Sequence, residues 1–200
     1  MKGSIIIISF FVIGLFCGLN GLVTNAFEQY DLSFYVLCAL MFCVGISIGA
    51  NKESLESIKK VDPVFLLLPL VTILGTLVGV SILRLFITSH SLSEILAVGS
   101  GFGYYSLSSV FISKFKGAEL GTIALLSNIT REILTLTLAP LMVKYFGRLA
   151  PISAGGATTM DTTLPIITRY SGQQYVVVSV FHGFMVDLSV PFLVTLFCMI

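Results

Sequence analysis

The chain has 200 residues, of which 56% are hydrophobic and only 10% charged, with a formal net charge of +1. A soluble domain carries about 25% charged residues, so a fold of this size could not wet its surface with so few, and lipid is left as the solvent for most of it. The near-zero net charge also excludes nucleic acid as a partner, because phosphate binding needs a concentrated basic face.

A spanning helix needs about 20 mainly apolar residues. Residues 3–22, 32–50 and 64–87 meet that standard without interruption. Residues 93–113, 119–145, 149–168 and 175–200 are long enough but broken up by Gly, Pro and charge. The expectation is an all-α, polytopic integral membrane protein with about five to seven embedded segments, some of them discontinuous helices. Lys2, the following apolar run and "TNA" ending at Ala26 also resemble a cleaved secretory signal peptide. The run is long for such a peptide and further spans follow directly, so a retained first helix is the stronger reading.

Lys and Arg mark cytoplasmic connections. "NAFEQYDLS" has no basic residue and is expected outside, whereas Lys52, Lys59 and Lys60 place the next connection inside. Lys114 and Lys116 mark another cytoplasmic turn. Lys144 and Arg148 then conflict with a single crossing between them, unless some interrupted segments enter and leave on one side. Cys17, Cys38, Cys43 and Cys198 lie in apolar stretches without metal-ligand spacing and read as packing residues. No metal and no cofactor is expected.

Each uninterrupted span carries a Gly-x-x-x-Gly: Gly14 with Gly18, Gly45 with Gly49, and Gly75 with Gly79. This spacing lets helix backbones approach closely in lipid, within the chain or against a partner subunit. The later segments instead carry two glycine- and hydroxyl-rich patches, "GSGFGYYSLSS" (residues 99–109) and "GGATTMDTTLP" (residues 155–165). Glycine favours irregular backbone, and Pro165 disfavours helix at Leu164. Irregular backbone at membrane depth survives only against protein or a hydrated cavity. Either patch alone reads equally well as an interfacial loop. Two together point to discontinuous helices whose meeting place is a transport site.

The charges fall in the same region. Asn128, Arg131, Glu132 and Thr135 recur at helical spacing as a polar stripe on an apolar helix. Arg131 and Glu132 are adjacent and cannot face each other, so each needs a partner elsewhere. Pro140 frees the carbonyl of Leu136 and favours a kink. His182 and Asp187, five residues apart, point to different sides of the last helix. Unpaired in lipid, Arg131, Glu132, Asp161 and Asp187 would together cost on the order of 10 kcal/mol, so they pair or face a hydrated cavity. Asp161, among Thr158, Thr159, Thr162 and Thr163 with no basic neighbour in sequence, is the strongest candidate for function. For Arg131 a structural ion pair is an equal alternative. The "NIT" sequon at Asn128 carries no weight at membrane depth.

"SGFGYYSLSS", "GTIALLSNITREI", "GGATTMDTTLP" and "VFHGFMVDLSVP" together resemble the lysine exporter family (LysO-type) of bacterial inner membranes. The likeness covers essentially the whole chain and is most specific from Gly99 to Pro191. It implies export of L-lysine and its toxic analogue thialysine, by exchange with an ion such as H⁺. It also implies a transport role for intramembrane acids: Asp161 stands at the acid of the Gly-Ala-Thr-x-Met-Asp motif, and Glu132 at that of the Asn-x-x-Arg-Glu motif. Longer members carry further membrane sequence before the matched part. That piece is expected as a separate short membrane polypeptide joined through the Gly-x-x-x-Gly faces; homo-oligomerisation is the alternative.

Residues 1–200 are therefore expected to form one transmembrane domain, with residues 1–92 as packing scaffold and residues 93–200 as the transport region. The expected substrate and ion site comprises Asp161, Glu132, Asn128, Arg131, Thr158, Thr159, Thr162, Thr163, Gly101, Tyr104, Tyr105, Ser106, His182 and Asp187. Acids suit the two ammonium groups of lysine, and backbone N–H groups at half-helix N-termini suit its carboxylate. A cation/proton antiporter, or an exporter of another basic metabolite, is the nearest rival. An intramembrane protease built on Ser100 and His182 fits poorly, because Val98 breaks the Gly-x-Ser-Gly motif and "GFGY" lacks the acid of the aspartyl type. A non-catalytic assembly subunit would leave the threonines of residues 158–163 without a task.

Overall fold

A computed structural model describes residues 63–200, together with Ile13, Phe16, Cys17, Asn20, Tyr35, Phe42 and Ile46. The chain divides into two compact units, Met1–Lys52 and Glu53–Ile200, and the helices below belong to the second. The Gly-x-x-x-Gly pairs of the first two spans, Cys38, Cys43 and the lysines at 52, 59 and 60 lie outside the described residues.

A 3-10 turn over Pro63–Leu67 leads into α1, Leu68–Leu83. Pro69 sits in the first turn of α1, where its missing N–H has no helical partner to lose. α2, Leu92–Gly99, starts at a capping box: the Ser91 hydroxyl accepts the Glu94 N–H, and the Glu94 carboxylate accepts the Ser91 N–H. After an irregular stretch, α3 runs over Tyr105–Lys116, and Gly117 turns the chain directly into α4, Ala118–Phe146. α5 is a short helix, Ala150–Gly155, followed by a 3-10 turn over Gly156–Met160 and by α6, Leu164–Ser171. A second 3-10 turn, Gln173–Tyr175, leads into α7, Val176–Met199. The described residues contain helices and turns and no strand.

One of these elements departs from the sequence expectation, and two more bear on it. Pro165 opens α6 rather than stopping a helix, because it falls within the first turn. α4 runs through Pro140 as one element of 29 residues, about 43 Å long at 1.5 Å per residue. Lys116 and Lys144 consequently stand near opposite ends of a single continuous helix, so basic residues alone do not orient this part of the chain. Among the described residues the Gly75–Gly79 face of α1 is open: a Cβ at either glycine would meet none of their atoms within 4 Å.

Apolar side chains are both buried, as at Ile95, Phe102, Leu107, Ile112 and Val186, and turned outward in number. Only Pro69 and Thr72 of α1 are buried, while Leu70, Leu74 and Val78 are each more than half exposed. Phe192 on α7 and Leu126 on α4 face outward as well. Inside, Ser108, Asn128, Thr135, Thr159, Thr163, Ser179, His182 and Asp187 are buried. Two stretches, Phe65–Leu83 and Gln173–Met199, are long and apolar enough to cross a membrane. Exposed apolar side chains together with polar groups kept inside suit lipid as a solvent, since the hydrocarbon offers no partner for a polar side chain. α3 and α4 form the closest helix pair, and α7 packs along the Gly156–Met160 turn, α2 and α3. A separate apolar cluster of Ile152, Ile167 and Val178, with Phe65 edge-on to Tyr175, holds α5, α6 and the start of α7 together.

Candidate functional site

The two glycine-rich patches meet. The carbonyl of Phe102, in the stretch between α2 and α3, accepts the N–H of Ala157 at 2.9 Å, in the turn after α5. The contact needs glycine at 156, which has φ +63°, and where a Cβ would collide with the Phe102 carbonyl oxygen. Phe102 itself takes the uncommon φ of +44° and is fully buried. Both helices that end here, α2 and α5, present C-terminal carbonyls, while α3 and α6 begin close by in the chain.

α4 holds this crossing with its polar stripe. Asn128 is buried, and its Oδ1 accepts the N–H of Gly103 at 2.7 Å. Its Nδ2 donates to the carbonyl of Ala124 at 2.8 Å and reaches the Ser108 hydroxyl at 3.3 Å. Gly101 lies against this amide so tightly that a Cβ would overlap it. One turn on, Arg131 donates from Nε to the carbonyl of Ala154 at 2.7 Å and from Nη2 to that of Ser153 at 3.0 Å. These are among the last carbonyls of α5, so the guanidinium supplies the positive charge that a helix C-terminus favours. It also stands 5.7 Å from the centre of the Phe102 ring. The partner that sequence left open for Arg131 is therefore backbone. Thr135, one turn further and buried, donates to the carbonyl of Arg131 at 2.9 Å. Glu132 is partly exposed and has no ion pair or hydrogen bond from its carboxylate among the described residues.

Hydroxyls fill the interior around the Gly156–Met160 turn. Thr158 donates to the carbonyl of Gly155 and lies 3.2 Å from the Thr163 hydroxyl. Thr159 lies 2.8 Å from the carbonyl of Gly156, 2.9 Å from that of Ser179 and 3.3 Å from Nδ1 of His182. His182 is fully buried, and its Nε2 is 2.9 Å from the Thr72 hydroxyl on α1. Thr159 has one proton, which it gives to a carbonyl, so it accepts from His182 Nδ1; Nε2 then accepts from Thr72. The neutral imidazole thus tethers α1 to the turn. That tautomer is assigned from the network of partners.

Two acids complete the region: Asp161 directly follows the Gly156–Met160 turn, and Asp187 lies on α7. Asp161 is exposed, and its Oδ1 accepts the N–H of Thr162, itself exposed. Asp187, on α7 one residue beyond a further turn from His182, is buried. Asp161 and Asp187 are close enough to interact electrostatically with each other and with Tyr104. Neither makes an ion pair within the described residues.

The structure thus gathers Asn128, Arg131, Gly101, Thr158, Thr159, Thr163 and His182 around the crossing, and Asp161, Asp187 and Tyr104 beside it. Tyr105, Ser106 and Thr162 are exposed. The hydroxyl that sequence reasoning missed is Ser108, one turn of α3 beyond Tyr104 and fully buried. Thr72, in the expected scaffold, was missed too; an isolated threonine in an apolar run gives no signal of its own. Ser100 donates to the carbonyl of Leu96 at 2.7 Å, so it is not paired with His182 as a protease dyad requires.

Fold and site together define an all-helical protein whose apolar surface encloses a polar crossing of two glycine-rich turns. The chain belongs to the family of the lysine exporter LysO, whose model matches residues 8–198. It is 34% identical over 188 residues to the lysine exporter LysO of Escherichia coli, covering 93% of this chain and 61% of that one. It is 35% identical over 165 residues to a Haemophilus influenzae protein named for a proposed role as a lysine exporter, covering 82% and 83%. The chain spans about three fifths of the Escherichia coli relative's length. No solved structure matches it.

Proposed function

We propose that the chain is a secondary active transporter, or the larger part of one, that exports L-lysine and thialysine from the bacterial cytoplasm in exchange for H⁺. The observation that carries this reading is the acid pair, Asp161 and Asp187, in mutual electrostatic reach and with no ion pair among the described residues. Two neighbouring carboxylates repel, and one positive charge between them relieves the repulsion. A proton and a substrate ammonium compete for that role, which is the logic of antiport: loading one requires release of the other.

On this reading, residues 92–116 and 150–171 are two discontinuous membrane helices, and the hydrogen bond between Phe102 and Ala157 is their crossing point. Residues 93–200 carry the site and residues 1–92 support it, with Thr72 reaching in from the scaffold. Glu132, on the stripe that holds the crossing, is a second acid for the coupling ion. The chain resides in the inner membrane as a multi-pass protein and works with a short membrane partner or a second copy of itself.

The test is lysine efflux from proteoliposomes, with and without a pH gradient, for the chain alone and together with the part of the longer Escherichia coli relative that lies outside the match. Asp161→Asn and Asp187→Asn are expected to abolish efflux while leaving insertion intact. Wild-type efflux from Asp161→Asn removes the proposed role of the pair. Efflux of Na⁺ or K⁺ in preference to lysine would instead favour a cation/proton antiporter, and preference for another diamine or amino acid would reassign the metabolite.

A further inference from the structure

A groove of about 900 Å³ opens between α1, α4 and α5, within the size range of small-molecule sites. Among the described residues its polar lining is Thr72, Thr76, Ser127, Thr130, Arg131, Thr135 and Ser153, with no Asp or Glu in that set. A second cavity of about 290 Å³ shares Thr76, Ser127 and Arg131 with it and extends to Asn128 and His90, again without an acid among the described residues. Arg131 thus borders both spaces. Its Nε and one Nη2 bond are spent on the α5 carbonyls, and Nη1 has no hydrogen-bond partner among the described residues.

We propose that the free Nη1 edge of Arg131, with the hydroxyls of Thr76 and Ser127, is a carboxylate-binding subsite for the transported amino acid. The proposal rests on the transport reading and assigns the substrate's negative group, which that reading leaves unplaced. The helix cap fixes the guanidinium plane in advance, so binding a carboxylate immobilises no further side chain. The cavity walls are mostly apolar, and charge-assisted hydrogen bonds strengthen where water is displaced. The fixed positive charge of Arg131 also repels a second cationic group, which directs the ammonium ends of a basic amino acid away from it. Asp161 and Asp187 line neither cavity, so the opposite charges of the substrate are read at different places.

The test measures binding of L-lysine and of cadaverine, the same diamine chain without the carboxylate, to the protein in lipid nanodiscs. Wild type is expected to prefer lysine by about tenfold or more, the worth of one charge-assisted hydrogen bond. Arg131→Gln should erase that preference, leaving cadaverine affinity within about twofold. Because Arg131→Gln also removes the α5 cap, Thr76→Val and Ser127→Ala provide the second arm, since neither residue touches the α5 carbonyls. Each should weaken lysine severalfold without changing cadaverine. Equal affinity of wild type for the two ligands overturns the subsite alone, as does an equal loss for both in all three variants, which would make Arg131 a cap only. Binding of neither ligand by wild type overturns the transport reading and the subsite with it.

Discussion

The crossing of the two glycine-rich turns can be probed by Gly156→Ala, with Gly147→Ala as its reference. Both glycines adopt positive φ, +63° at 156 and +89° at 147. Around Gly147 a Cβ meets nothing within 4 Å, whereas at Gly156 it falls on the Phe102 carbonyl. Gly147→Ala therefore reports backbone strain alone, about 1–3 kcal/mol. Gly156→Ala adds displacement of Phe102 and loss of the buried hydrogen bond from the Ala157 N–H, a further 1–3 kcal/mol or so for leaving a buried donor unsatisfied. The expected excess for Gly156→Ala over Gly147→Ala is then roughly 1–3 kcal/mol, or about 2–12 °C in the midpoint of thermal unfolding for a domain of this size. The assay is circular dichroism of each purified variant in detergent, paired with lysine efflux from proteoliposomes. Gly156→Ala should also lose efflux and Gly147→Ala retain most of it. Equal midpoints and equal transport in the two variants would refute the claim that a close crossing, and not glycine's backbone freedom, fixes residue 156.

Asn128→Asp keeps the acceptor for the Gly103 N–H but turns the donor that faces the Ala124 carbonyl into an oxygen. It should therefore destabilise at least as much as Asn128→Ala, by about 1–3 kcal/mol, read by the same unfolding measurement. His182→Phe removes both ring nitrogens from the tether between Thr72 and Thr159 and should lower the unfolding midpoint; Thr72→Val, which breaks one end only, should lower it less. Ser106→Ala, at an exposed position of α3, should change neither stability nor efflux by more than about twofold, whereas Ser108→Ala should weaken the Asn128 network. A comparable loss from Ser106→Ala would return that hydroxyl to the site.

Much of the region was legible because lipid leaves a plain mark on composition. Apolar runs of sufficient length located the segments that became α1, α4 and α7, and the spacing of Asn128, Arg131, Glu132 and Thr135 marked a polar stripe on α4, of which Asn128 and Thr135 are buried and Glu132 is partly exposed. Helical periodicity needs no tertiary information, so that stripe could be read from neighbours in the chain. Pro165 misled because proline's effect depends on whether it stands in the first turn or the interior of a helix, and only the boundary at Leu164 decides that. Tyr104, Tyr105 and Ser106 were indistinguishable as letters, and the start of α3 at Tyr105 turned Tyr105 and Ser106 outward while Ser108 turned in.

The sequence by itself determined that the protein is helical and lipid-facing, that glycine and hydroxyl groups interrupt two of its segments, and that its acids gather near them. Hydrophobicity, backbone freedom and helical spacing are local properties, and local properties suffice for such statements. Only the tertiary structure decided which polar groups satisfy one another: the Phe102 carbonyl with Ala157, Arg131 with the end of α5, His182 between Thr72 and Thr159. Those partners lie 22 to 110 residues apart. A buried donor is satisfied by whichever acceptor the fold brings within about 3 Å, and distance along the chain says nothing about which one that is.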